Sequence, residues 1–99
     1  MWKKLVIKKK LTIKNKTGLH ARPAAIFIKE ADKYNSNIRI KFSNREINAK
    51  SIISLINLGL EKGKEITLKV DGRDEKKALQ ELSYLINEKL PEEDNKWKK

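Results

Sequence analysis

Ile38-Arg39-Ile40-Lys41-Phe42-Ser43-Asn44-Arg45-Glu46-Ile47-Asn48-Ala49 reads as two strands joined by a turn. Apolar side chains at 38, 40 and 42 alternate with polar ones, the period of a strand with one buried face. Ser43-Asn44-Arg45 supplies turn chemistry, and Glu46 to Ala49 returns as the hairpin partner. A hairpin is antiparallel, so the sheet that contains it is expected to be wholly or mostly antiparallel.

Working outward, Leu11 and Ile13 alternate in a strand that begins as early as Lys8, and Ile66, Leu68 and Val70 form a fourth strand ended by Asp71-Gly72. Three helices fill the intervals. The first starts just after His20, with Pro23 in its first turn, where a missing N–H costs nothing. Ala24, Phe27, Ile28, Ala31 and Tyr34 make its apolar stripe, and Asn35-Ser36-Asn37 ends it. The third begins near Asp74 as N-cap, has Glu75 in its favourable first turn, and runs through Ala78, Leu79, Leu82, Leu85, Ile86 and Leu90 until Pro91 stops it. The order is β-α-β-β-α-β-α, with short connections. A four-stranded antiparallel sheet covered on one face by three helices, a two-layer open-faced α+β sandwich, follows from it.

The second helix is short, with Ser51 as N-cap and Gly59 as the C′ residue. Leu55 and Leu58 can face a core on one side of it, while Ile52, Ile53 and Ile56 gather on another. That second cluster is either covered by another element or exposed as a docking patch.

Ninety-nine residues suit one domain. The longest uninterrupted apolar run, Ala24 to Ile28, falls far short of the ~20 residues of a membrane-spanning helix. Leu5-Val6-Ile7 is too short for the apolar region of a signal peptide, about 7 to 15 residues. A cytoplasmic protein without membrane insertion is therefore expected. The absence of cysteine excludes disulfides, thiolate catalysis and cysteine-based zinc sites, and a single histidine excludes histidine-rich metal sites. No metal and no cofactor is expected.

The net charge of +11 is uneven: residues 1 to 70 carry 17 basic and 5 acidic side chains, and residues 71 to 99 carry 7 basic and 8 acidic. Lys3, Lys4, Lys8, Lys9 and Lys10 supply +5 of the excess. Such a chain suits an anionic partner: nucleic acid, an acidic protein face or a phosphorylated substrate.

Thr17-Gly18-Leu19-His20-Ala21-Arg22-Pro23-Ala24-Ala25 places the only histidine at a loop-to-helix junction. Unpaired N–H groups and the positive end of the helix dipole favour an anion there, and a guanidinium two residues on can bind phosphate oxygens through paired hydrogen bonds. A nucleophilic imidazole beside them can accept and hold a phosphoryl group. A surface histidine that merely begins a helix has the same local pattern.

Gly18-Leu19-His20-Ala21-Arg22-Pro23-Ala24 resembles the active-site signature of the HPr family, histidine-containing phosphocarriers of the bacterial phosphoenolpyruvate-dependent sugar phosphotransferase system. Ala49-Lys50-Ser51-Ile52-Ile53-Ser54-Leu55-Ile56-Asn57-Leu58-Gly59-Leu60 is similar to the regulatory-serine segment of its Gram-positive type. The likeness covers about residues 6 to 90, leaving residues 1 to 5 as a basic N-terminal extension and 91 to 99 as a flexible tail.

The resemblance implies that His20 accepts a phosphoryl group on Nδ1 from the phosphohistidine of Enzyme I and passes it to IIA components of sugar transporters. It implies that Arg22 and the Ala21 backbone stabilise the phosphoryl group. Ser51 becomes a target of HPr kinase/phosphorylase in carbon catabolite regulation, with a catabolite-control transcription regulator as a further partner. Ala21, Ala25, Lys29, Ile52, Ile53 and Ile56 become the partner-docking surface of a monomer that is a carrier rather than an enzyme. Asp32 departs from the pattern, falling where some members have a basic residue. Two rivals remain: a carrier of a nitrogen-type regulatory branch, and a basic nucleic-acid-binding α+β domain. Against the latter, strands one and three lack the interleaved aromatics of a stacking surface, so no direct nucleic-acid partner is expected.

Overall fold

The computed structural model describes residues 6–96. The basic extension expected over 1–5, and the end of the expected tail at 97–99 with Trp97, lie outside the described residues. The elements are β1 (Ile7–Thr12), α1 (Ala21–Ala31), β2 (Asn37–Phe42), β3 (Arg45–Asn48), α2 (Ile52–Asn57), β4 (Glu65–Asp71), α3 (Glu75–Tyr84), a π-helical segment Leu85–Lys89, and α4 (Leu90–Lys96). The four strands form one fully antiparallel sheet in the order β1-β4-β2-β3.

Strand alternation sets which face is covered. Leu11, Ile66, Leu68, Val70, Ile38 and Ile40 point into the core with Phe27, Leu55, Leu82 and Ile86 from the helical layer. The hairpin closes with Phe42 opposite Arg45, so its loop is only Ser43-Asn44 and Arg45 is already in β3. Ser43 has φ 59°, the positive value that a two-residue hairpin loop demands of its first residue. On the other sheet face Lys8, Lys69 and Arg39 stand side by side across three strands. Glu46 relieves this repulsion by bonding Lys69 at 2.9 Å and Arg39 at 2.8 Å, and these bonds hold its carboxyl below the usual carboxylate range.

The first helix is shorter than its apolar stripe implies, ending at Ala31. Tyr34 follows in a turn but is still buried, and its hydroxyl donates to Glu30 Oε2 at 2.8 Å. Burial opposes the charged form of Glu30, yet the bonds from Tyr34 and Lys33 hold its carboxyl below the ordinary value; burial and this same contact push the Tyr34 phenol up. Asp74 does precede α3, but its carboxylate makes no capping bond. It accepts instead from the Ser36 hydroxyl at 2.6 Å and from the N–H groups of Asn35 and Ser36, which lowers its pKa and ties the turn after α1 to the start of α3.

Pro91 does not stop the third helix. The chain widens into the π-helical segment and continues helically as far as Lys96, in place of the flexible tail expected from residue 91. A proline within an α-helix meets the carbonyl four residues back and removes one N–H. Here the residue four back, Asn87, lies in the wider π turn, and Pro91 falls in the first turn of α4, where the missing donor is tolerated. Leu90 at the junction is fully buried and anchors α4 to the core. Among the described residues no helix is long and apolar enough to cross a membrane.

Candidate functional site

The histidine loop is built from a turn and a clamp. Asn15 is buried, and its side-chain amide donates to the Gly18 carbonyl at 2.6 Å while the Gly18 N–H returns to the Asn15 carbonyl at 3.1 Å. The next residue, Leu19, is fully buried and donates its N–H to the Leu60 carbonyl at 2.8 Å. The loop is thereby fixed to the segment between α2 and β4 immediately before His20.

His20 is the N-cap of α1, half-buried and extended (φ −117°, ψ 158°), and its side chain makes no capping hydrogen bond. Ala21 opens the helix at φ 44°, a left-handed conformation that costs a non-glycine residue about 1–2 kcal/mol. Strain of this kind persists where surrounding structure enforces it, often at functional sites. First-turn N–H groups have no acceptor within the helix, and since Pro23 has none, the amides of Ala21 and Arg22 are the donors of that turn. His20, Ala21 and Arg22 line one depression of about 550 Å³, together with Lys16, Thr17, Pro23, Ile26 and Glu93. Arg22 Nε lies 3.8 Å from Glu93 Oε1, an ion-pair separation too long for a hydrogen bond. The imidazole, the first-turn amides and the guanidinium thus gather at one depression, where Lys16 and Arg22 stand against a single carboxylate, an arrangement that can take up a phosphoryl group.

From the rim of the hollow, Ala21, Ala25 and Lys29 are exposed along one stripe of α1. The short helix α2 packs against α1 and exposes Ile52 at 39%, Ile53 at 70% and Ile56 at 39%, while Leu55 and Leu58 turn into the core. Ser51 caps α2: its Oγ accepts from the Ser54 N–H at 3.3 Å and donates to Ser54 Oγ at 3.0 Å. Gly59 follows α2 with φ 65°, the left-handed C′ residue that its sequence position demands.

Two residues of the site escaped the sequence reading. Asn15 had a usable signal, since Asn-Lys-Thr-Gly is a turn sequence directly before the histidine. Glu93 had none, because a helix that ends at Pro91 never brings it near His20.

Residues 7–88 match the protein family described as PTS HPr component phosphorylation site. The chain belongs to the HPr family. HPr-like protein Crh of Bacillus subtilis (strain 168) is 38% identical over 85 residues, 86% of this chain and 100% of the relative. Phosphocarrier protein HPr of Buchnera aphidicola subsp. Acyrthosiphon pisum is 49% identical over 71 residues, 72% of this chain and 84% of the relative. The crystal structure of HPr-C-His from Thermoanaerobacter tengcongensis superposes with a TM-score of 0.83 at 43% identity, covering 85% of this chain and 94% of that one. His20, Arg22 and Ser51 fall inside the HPr match, and α4 lies beyond its end.

Proposed function

We propose that this protein is a monomeric phosphocarrier that takes a phosphoryl group on His20 from phosphorylated Enzyme I and hands it to IIA components of sugar transporters. The observation that carries this reading is the placement of His20: its ring, uncommitted to capping, opens with Arg22 onto the depression at the start of α1. In the transfer, Nδ1 of His20 attacks the phosphorus, the P–N bond to the donor imidazole breaks as the new one forms, and the donor ring recovers its lone pair. Phosphoryl transfer passes through a loose transition state that needs positioning and charge compensation, which the α1 amides and Arg22 supply. Incubation with Enzyme I and labelled phosphoenolpyruvate is expected to give acid-labile phosphate on the protein, and an unlabelled wild type overturns the reading.

Ile52, Ile53 and Ile56 beside the exposed stripe of α1 supply an apolar centre with a basic rim, the anatomy of a transient interface. Ile53→Glu is expected to leave stability within about 0.5 kcal/mol, as for an exposed site, while slowing transfer from Enzyme I through a raised KM. A cooperative loss of structure in thermal melting would instead make the patch core. The nucleic-acid alternative finds little support, because among the described residues the solvent face of the sheet offers Lys8, Lys10, Arg39, Lys41, Thr67 and Lys69 but no aromatic platform.

Ser51 is read as a regulatory site for HPr kinase/phosphorylase, coupling the carrier to a catabolite-control transcription regulator. A phosphate on its hydroxyl brings about two negative charges next to the isoleucine patch and repels an acidic docking face. Purified kinase with ATP is expected to label wild type and not Ser51→Ala, and Ser51→Asp to lower Enzyme I transfer; undiminished transfer to that variant refutes the coupling.

A further inference from the structure

We infer that Glu93 acts as a built-in counter-anion that competes with the phosphoryl group for Arg22 and so raises the phosphoryl-transfer potential of His20. The inference rests on the carrier reading of His20 and adds to it a residue from outside the stretch that matches the family. Helix α4 starts after that match ends, and it carries Glu93 back alongside α1. The Glu93 side chain is 25% exposed against 61% for Arg22, so the carboxylate sits in the wall while the guanidinium reaches solvent. Both line the same depression as His20. A second depression, where α1 meets the end of the third helix, is lined by the same pair with Lys29, Lys33 and Lys89 and with the carboxylates of Glu30 and Glu92. The Glu93 carboxylate therefore lies beside the one guanidinium that a phosphoryl group on His20 needs.

The consequence is electrostatic. With His20 unmodified, Arg22 is paired with Glu93. A phosphoryl dianion on His20 must draw the guanidinium away from Glu93 and then stands in one hollow with that carboxylate. Both effects raise the free energy of the phosphorylated form, making it slower to accept and readier to give. Because Leu90, buried in the core, also anchors α4, neutralising Glu93 does not by itself release the helix.

The test compares wild type, Glu93→Gln and Glu93→Asp as full chains. At equilibrium with phosphorylated Enzyme I, Glu93→Gln is expected to shift the distribution towards phosphorylated carrier by about two- to fivefold, the scale of a partly exposed ion pair. Glu93→Asp, with its charge on a shorter stem, should fall between. The shift should fade at about 1 M salt, where screening reaches only ~3 Å. An unchanged or reversed equilibrium overturns the inference, as does a shift that salt leaves intact. A lowered Tm with no shift would mean that Glu93 only fastens α4. Phosphoramidate provides an arm free of partner proteins: its N–P bond breaks as the bond to His20 forms, and ammonia leaves. Glu93→Gln should be labelled about two- to fivefold faster, and an equal or slower rate, or no labelling of either protein, overturns the inference. Labelling by phosphoramidate without labelling by Enzyme I would sink the carrier reading while still deciding the role of Glu93.

Discussion

His20→Ala is expected to abolish acid-labile labelling by Enzyme I and phosphoenolpyruvate, and Arg22→Ala to slow it by about a hundredfold, the low end for loss of a charge-stabilising donor. The two losses differ in kind. His20 is the only histidine, so in the proposed mechanism its removal takes away the atom that would form the bond to phosphorus. Arg22 leaves that atom in place and removes only the compensation of charge on the transferred oxygens. The low end applies because the Arg22 side chain is 61% exposed, and water and salt share the work of an exposed guanidinium. Arg22→Lys should recover part of the rate, since an ammonium supplies charge without the two-pronged donor geometry. Initial rates at fixed Enzyme I check all three. Equal labelling of His20→Ala refutes the carrier mechanism, and an unchanged rate in Arg22→Ala removes the guanidinium from it.

What the sequence revealed follows from how local each cause was. Alternation at Ile38, Ile40 and Phe42 needs only neighbouring residues, and it located the hairpin to within a residue. The cap and stop of α2, Ser51 and Gly59, are equally local, and the exposed isoleucines follow from the helical period once Leu55 and Leu58 face the core. The misjudged features depend on distant partners. Tyr34 keeps the spacing of the α1 stripe yet lies beyond the helix, buried in a turn and bonded back to Glu30. Asp74 looks like a cap, but the turn after α1 claims its carboxylate across the molecule. Pro91 is a local stop signal overridden by a π-helical turn and by burial of Leu90, neither of which leaves a periodic trace. At the site, the sequence pattern placed His20 at the start of α1, where the structure has it, whereas the left-handed backbone of Ala21 could not be read from an alanine.

Gly18→Ala is expected to be the most damaging single-methyl substitution in the histidine loop, costing about 2–4 kcal/mol from left-handed strain and a backbone collision together. Gly18 has φ +66°, and a Cβ built there would strike the Leu60 carbonyl oxygen and come within 2.8 Å of the Glu61 Cα. Neither obstacle is a side chain that can rotate away. The loop or the 60–61 segment must move, and the bond from the Leu19 N–H to Leu60 is the link that stretches. At about 4–8 °C per kcal/mol for a domain of this size, Tm should fall by roughly 10–30 °C. Gly59→Ala separates the two causes. Gly59 has φ +65° but nothing within 4 Å of its Cβ, so it should cost only the conformational part, about 1–2 kcal/mol. Equal melting temperatures for the two variants would rule out the clash at Leu60. Function adds a second discriminator at a temperature where both variants are folded: Gly59→Ala should keep its transfer rate, while Gly18→Ala displaces the backbone two residues before His20 and should lose rate beyond its loss of folded protein. Transfer by folded Gly18→Ala at the wild-type rate would show that the clamp at Leu60 serves stability and does not position the histidine.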